Sequence, residues 1–452
     1  MEDMDRLASC GSCHCSLRSS RMLSRRLIGV AFLALCLAHA EASSSAQQPA
    51  VQAKPAKPAA KAKRKTPSAP KFVSTLTPLS QSYLRRTEPK GVAIGDWRLR
   101  VRVRIESETT DNVFFEPNNT ADDRIVLARP SFTLSRKGQD IDWTIDGNAF
   151  HHYYLNGTSA TVTEGGLNAQ ARIRFEPRHT LTLRTGAQRN VLERSDPNDS
   201  GGAQPEEDRV YGEATHYWEM GQFSLRTVLA GTRVDFVANR DNDRDRNLFQ
   251  ASVRGRWAAS RELTPYVGLD FTSNSYDDVV DDRGFDRDWD GYGARIGVTW
   301  RPVRNFSLRI AGGANGHRFD DPRFSNFTSW AADGGMVWNL ARMTSLIVDF
   351  ARTEHVTTVR GASLRLRSAV DARLEHFFTP EFLGTIGIGY RDDQYQEIAR
   401  DDDIVTAFAG LDWYASNNTN WFVNYRYTER QSNDPDEVYQ VNDVRVGVRL
   451  RY

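Results

Sequence analysis

Val444-Arg445-Val446-Gly447-Val448-Arg449-Leu450-Arg451-Tyr452 places an apolar side chain at every second position and ends on an aromatic. Trp97-Arg98-Leu99-Arg100-Val101-Arg102-Val103-Arg104-Ile105 repeats the pattern near the other end of the chain. Side chains on a strand point alternately to opposite faces, so each stretch has one greasy face and one cationic face. A soluble sandwich buries the greasy face in a core. A transmembrane barrel turns it to lipid and turns the charged face to a wet lumen.

Working outward from these two stretches, the chain repeats one unit from Asp96 onward. An alternating run of about ten residues is followed by a turn and another such run, the length a tilted strand needs to cross a bilayer. Eighteen runs can be counted, from 96–108 to 441–452. Connections after even-numbered runs are short, as in Arg136-Lys137-Gly138-Gln139 and Glu219-Met220-Gly221. Those after odd-numbered runs are longer and rich in Asp, Asn and Gly, as in Ser195 to Asp208 and Ser273 to Asp290. Short periplasmic turns and longer outer loops are the barrel arrangement.

Tryptophan sharpens the choice. Trp97, Trp143 and Trp421 begin odd-numbered runs, and Trp218, Trp257, Trp300, Trp338 and Trp413 end even-numbered ones. All eight share the apolar parity of their runs, which predicts a lipid-facing girdle at one membrane interface. Trp330 fits the opposite girdle, and Trp289 reads as a loop residue. Val444, Val446, Val448, Leu450 and Tyr452 resemble the C-terminal signal read by the barrel-assembly machinery, although Phe is its commoner last residue. The predicted fold is all-β: a closed, up-and-down antiparallel transmembrane barrel of about eighteen strands, with a signal peptide and a disordered linker before it. An unpaired edge in lipid would cost several kcal/mol per backbone group, so the first and last runs are expected to pair.

Residues 1–40 read as an N-terminal extension and signal peptide. Arg21, Arg25 and Arg26 precede the apolar run Leu27 to Leu37, and Ala38-His39-Ala40 is a cleavage site. Met22 is a natural start for such a signal. The four cysteines, Cys10, Cys13, Cys15 and Cys36, all lie before that site, and no second ligand pair follows at zinc spacing. Residues 41–90 are an Ala/Lys/Pro-rich periplasmic linker, and 91–452 the barrel.

The parity partners of the greasy residues are the predicted pore-lining set. They are Arg98, Arg100, Arg102, Arg104, Arg172, Arg174, Arg184, Arg254, Arg256, Arg365, Arg367, Arg445, Arg449 and Arg451, with Arg226, Arg295, Arg309, Arg373 and Arg426 beside them. Inward acids are fewer: Asp142, Asp146, Glu213, Glu219, Asp270, Asp333, Asp349, Asp371 and Asp412. Roughly half of the arginines are expected to pair with them, since like charges opposite one another are destabilising. The remainder predicts an anion-favouring lumen, with seven arginines on the seam between the first and last strands.

The outer loops carry the opposite sign. Asp286-x-Asp288-x-Asp290-Gly291 resembles the start of a calcium loop, but Gly297 stands where its bidentate Glu belongs, so no metal is expected. No nucleophile elbow, phosphate-binding loop or Ser-His-acid set emerges around His151, His152, His317 and His355, so neither catalysis nor a cofactor is expected.

Thr110-Asp111-Asn112-Val113-Phe114, Asp122-Asp123-Arg124-Ile125 and Pro130-Ser131-Phe132-Thr133-Leu134 resemble the opening of an outer-membrane β-barrel porin family often encoded beside exopolysaccharide export genes. The resemblance spans about residues 91–452 and departs at Thr109-Thr110, where an aromatic-acidic pair is common. It implies a bacterial outer-membrane conduit in polysaccharide secretion. The partners it and the composition imply are membrane lipid and lipopolysaccharide, the assembly machinery and periplasmic polysaccharide-export components, with no nucleic acid. The alternatives are a general porin for small anions and a plugged structural or assembly barrel.

Overall fold

The structure, a computed structural model, describes residues 72–452 apart from Asn119, Glu193 and residues 197–203. The signal peptide, the cysteines and residues 41–71 of the linker lie outside the described residues. Helix α1 (Leu79–Thr87) comes first, then a short strand β1 (Val92–Ile94) folded onto the start of β2 (Trp97–Thr110). The strands that follow are β3 (Asp123–Lys137), β4 (Ile141–Tyr154), β5 (Val162–Glu176), β6 (His179–Val191), β7 (Glu206–Met220), β8 (Phe223–Phe236), β9 (Arg246–Trp257) and β10 (Leu263–Tyr276). The second half comprises β11 (Trp289–Val303), β12 (Phe306–Phe319), β13 (Phe327–Ala341), β14 (Thr344–Val356), β15 (Leu364–Thr379), β16 (Phe382–Tyr395), β17 (Asp401–Trp413), β18 (Thr419–Ser432) and β19 (Tyr439–Arg451).

Each strand from β2 to β19 pairs antiparallel with its chain neighbours, and β19 pairs with β2. The ring of eighteen strands is closed, as the cost of an edge in lipid demands. Its seam runs from Asp443↔Thr110 to Arg451↔Arg102 and is extended by reciprocal bonds between Val101 and Tyr452 at 3.1 and 2.8 Å.

Connections on the side of the seam's Tyr452 end range from Pro177-Arg178 and Gly221-Gln222 to the longer 258–262 and 414–418. Gly221 has φ +63°, which the tight β7–β8 turn requires and a side chain would disfavour. On the opposite side the connections are longer, up to 192–205, although 396–400 is as short as the longest inner turns. Several strands outrun the expected ten residues; β5, for instance, begins at Val162 rather than 166. Above the apolar band the outward positions become polar, so alternation fades while backbone pairing continues.

The described residues form no single apolar core, because the greasy faces look outward. Ile296 is 68% and Leu269 65% exposed, on strands facing lipid. Replacing Ile296 with Arg should therefore cost about 2–4 kcal/mol of folding into bilayers. Denaturant titration in vesicles reads this directly, and an effect near zero would mean that this face does not meet hydrocarbon.

The stretch read as linker, 41–90, includes described residues from 72 onward. Its last part, residues 72–90, contains α1 and is docked against the barrel wall. The flanking sequence Phe72-Val73-Ser74-Thr75-Leu76-Thr77-Pro78 has no alternation to announce this.

Candidate functional site

Cross-strand register determines which side chains share the lumen. The arginines named above from β2, β5, β6, β9, β15 and β19 alternate with lipid-facing residues and face inward, but they meet different partners. Arg174 lies 2.5 Å from Asp142, Arg184 3.4 Å from Glu213, and Arg295 3.0 Å from Asp333. Arg365 and Arg367 share Asp393 at 3.3 and 2.7 Å. By contrast, Arg172, Arg226 and Arg254 are exposed inside the ring with no carboxylate of the described residues within ion-pair distance. Arg226 and Arg254 are direct cross-strand partners, an arrangement that costs stability unless an anion or water lies between them. With Arg184 they form a water-facing cationic wall over β5, β6, β8 and β9. Six strands further round the ring from β8 and β9, Asp349 of β14 and Asp371 of β15 are direct partners and equally exposed. The lumen is thus polarised from one wall to the other.

The arginine seam is less bare than the sequence suggests. Arg102↔Arg451 and Arg104↔Arg449 do stand opposite each other. Yet Arg104 pairs with Glu106, which also lies 3.3 Å from Arg129, and Arg445 is 2.9 Å from Glu108. Arg102 pairs with Glu88, and Arg449 with Asp412. The guanidinium groups of Arg104 and Arg449 stack on Phe422 at 4.6 and 4.0 Å. That ring lies flat because its neighbour is Gly447: a Cβ there would come within 2.7 Å of it. Glu106 and Glu108 were legible, since they continue the even parity of Arg98 to Arg104. Arg129, Asp393, Asp402 and Asp443 are further inward charges that the sequence reading passed over.

The inner mouth carries a feature the sequence did not announce. Val73 N–H donates to Thr264 Oγ1 at 2.9 Å, Leu76 N–H to Ser307 Oγ at 2.7 Å, and Leu79 N–H to Ser345 Oγ at 3.1 Å. These hydroxyls occupy the second positions of β10, β12 and β14 and are almost fully buried. Three residues of polyproline II advance about 9.3 Å and complete one turn. Two strand spacings total about 9.6 Å, so every third N–H meets every second strand. Pro78, at φ −55° and ψ 154°, is in that conformation. The chain then enters α1, whose Leu79 and Tyr83 pack on Phe377, Leu383 and Tyr414, and Glu88 reaches Arg102. Among the described residues this strap follows the wall from β9, where Arg256 donates to the Val73 carbonyl at 3.4 Å and lies over the Phe72 ring, round to β2.

At the outer ends of β11, β12 and β15 the described residues form an apolar cluster. Trp289, read as a loop residue, starts β11 facing inward, where it clusters with Phe319, Phe324 and Leu364. The acids of the 277–288 loop are largely consumed by the loops themselves: Asp281 binds Arg287 at 2.8 Å, and Asp288 accepts from Tyr276 N–H at 2.6 Å. Asp321 grips Arg323 Nε at 2.9 Å and accepts from Asp286 N–H at 2.9 Å. The Arg323 guanidinium holds the Asp321 carboxyl down to about 2. A depressed carboxyl stabilises above its unfolded value near 3.8 and loses that contribution as pH falls through the folded one. Amide exchange at Asp286 and Arg323 should therefore stay slow at pH 4 and accelerate as pH approaches 2. Acceleration between pH 6 and 4 would contradict the assignment.

Trp143, Trp218, Trp257, Trp300, Trp338, Trp413 and Trp421 are exposed on the lipid-facing parity near the inner rim, and Trp97 is half-covered beside Ile94 of β1. Val444, Val446, Val448 and Leu450 share that outward face on β19, and Tyr452 is 68% exposed beyond it.

A sequence profile described as "Putative beta-barrel porin 2" matches residues 86–452. No curated protein matches the chain. Similar solved structures include the Pseudomonas aeruginosa outer membrane protein opdK, at TM-score 0.49 and 10% identity, covering 78% of this chain and 99% of that one. OccK2 (OpdF) of the same organism, in complex with glucuronate, gives 0.49 and 10%, covering 79% and 98%. Its siderophore receptor PirA gives 0.44 and 11%, covering 80% and 81%.

Proposed function

Because the chain belongs to the "Putative beta-barrel porin 2" family and is an outer-membrane porin, we propose that it is an anion-favouring conduit whose cargo is an acidic exopolysaccharide. The observation that carries this reading is the exposed set Arg172, Arg226 and Arg254, none with a carboxylate of the described residues within ion-pair distance. Arginine keeps its charge across the physiological range, so the field there is permanent. Rings or walls of fixed cations in a pore concentrate anions and exclude cations. Spaced guanidinium groups also suit a polymer with regularly spaced carboxylates, since each contact is weak enough to release.

Deleting the gene and measuring surface polysaccharide tests the cargo. Loss of uronate-bearing polymer from the cell surface, with accumulation in the periplasm, is the expected result. Unchanged polymer would leave a pore for small anions. The strap and the outer cluster favour a second reading, a plugged scaffold barrel, for which bilayers containing the purified protein would stay silent.

A further inference from the structure

On the lipid-facing side of β15 to β18 the wall is notched by an apolar groove of about 430 Å³, a volume within the roughly 300–1,000 Å³ of small-molecule sites. Its floor is recessed because small residues stand at outward positions. Gly384 pairs with Leu411, and Ala409 pairs with Ile386 and Tyr425. Phe378, Ile386, Leu411 and Tyr425 project around that floor, and all four are exposed. In the outer membrane this face meets hydrocarbon, so a lipid chain is at hand to fill the recess.

The polar lining says which lipid. His376 lies between Leu374 and Phe378, with its Nδ1 bonded to Thr344 Oγ1 at 2.9 Å and the Phe378 ring edge-on at 4.9 Å. Its Nε2 has no partner among the described residues and keeps accessible surface. When the Thr344 hydroxyl donates to Nδ1, the ring proton sits on Nε2 and is free to donate. The register row of Trp338 crosses β15 at Leu374, and that of Trp413 crosses it at Thr379. His376 falls between the two rows, at the level of the inner girdle, where headgroups begin. The turns flanking the β14–β15 pair carry opposite charges, Arg342 in one and Glu381 in the other, both exposed. Neither has an ion-pair partner among the described residues, and Glu381 accepts only from Thr379 Oγ1, at 3.0 Å, through one oxygen of its carboxylate.

We propose that this groove binds one phospholipid of the inner leaflet whose headgroup carries both charges, of the phosphatidylethanolamine class. One acyl chain lies on the floor over Gly384 and Ala409. The phosphate accepts from His376 Nε2 beside Arg342, and the ammonium turns toward Glu381. A second copy of the barrel fits less well, because Phe378, Ile386 and Tyr425 project where a flat contact is needed. The site stands apart from the conduit reading and holds equally for a plugged barrel.

The test is native mass spectrometry of the protein purified from outer membranes and exchanged into mild detergent. Equal amounts of dioleoyl phosphatidylethanolamine, dioleoyl phosphatidylglycerol and dioleoylglycerol are added. One phosphatidylethanolamine should be retained, at least about tenfold over each of the other two. Ala409→Phe, which fills the floor from a lipid-facing position, should remove the adduct. His376→Phe should lower retention of phosphatidylethanolamine by about tenfold. Glu381→Gln, in an exposed turn, should leave one phospholipid bound but level the two headgroups. Heat-modifiable gel mobility confirms that each variant is still a barrel. Phosphatidylglycerol or dioleoylglycerol retained as well as phosphatidylethanolamine, unchanged retention in any of the three variants, or a dimer that Ala409→Phe dissolves overturns the site.

Discussion

Removing residues 72–90 should raise single-channel conductance about twofold or more, because the strap lines the inner mouth from β9 to β2 and conductance follows open cross-section. Its hold on the wall is modest. Three bonds to Thr264, Ser307 and Ser345 contribute roughly 0.5–1.5 kcal/mol each, and the Tyr83 contacts with Phe377 and Tyr414, at 5.3 and 5.0 Å, add to them. The triple variant Thr264→Val, Ser307→Ala, Ser345→Ala should consequently give an intermediate phenotype, with frequent transitions between two conductance levels. Planar-bilayer recordings at fixed salt distinguish these outcomes, and heat-modifiable gel mobility confirms that each variant remains a barrel. Unchanged conductance without the strap would mean that the limiting constriction lies elsewhere, most plainly under the cluster around Trp289.

The second large effect concerns charge. Replacing Arg172, Arg226 and Arg254 together by Ser should lower the anion-to-cation permeability ratio by about tenfold, since these are exposed inward cations with no carboxylate of the described residues within ion-pair distance. The same substitution in Arg100, Arg102 and Arg104 should move the ratio much less. Arg102 and Arg104 are already paired with Glu88 and Glu106, and a screened pair contributes little field to the open path. Breaking up the Arg226↔Arg254 contact should leave the fold as stable as before or slightly more so, because like charges opposite each other cost up to about 1 kcal/mol. A seam variant that moved selectivity more than the wall variant would place the conducting path at β2 and β19.

The barrel was legible in the sequence because its information is local. A period of two, an aromatic at each inner rim and a difference in connection length all lie within about fifteen residues of one another. Register follows from alternation and closure, so inward and outward faces could be assigned without a structure. The strap was not legible for the opposite reason. Its anchors are single hydroxyls 191, 231 and 266 residues away in sequence, and a polyproline-type segment carries no amphipathic period of its own. Trp289 was misplaced because it stands alone at a strand start, and its partners Phe319, Phe324 and Leu364 come from other strands and loops. The overstatement of the seam differs in kind: Glu106 and Glu108 lay in plain sight on the cationic face, two and four residues beyond Arg104.

The sign of the field in the lumen is read most directly from the reversal potential of the intact, purified protein in a planar bilayer across a tenfold KCl gradient. An anion-favouring lumen displaces the potential toward that of chloride, and the displacement should persist from pH 5 to pH 9 because arginine does not titrate there. A displacement toward the potassium value, in channels that do open, would contradict it.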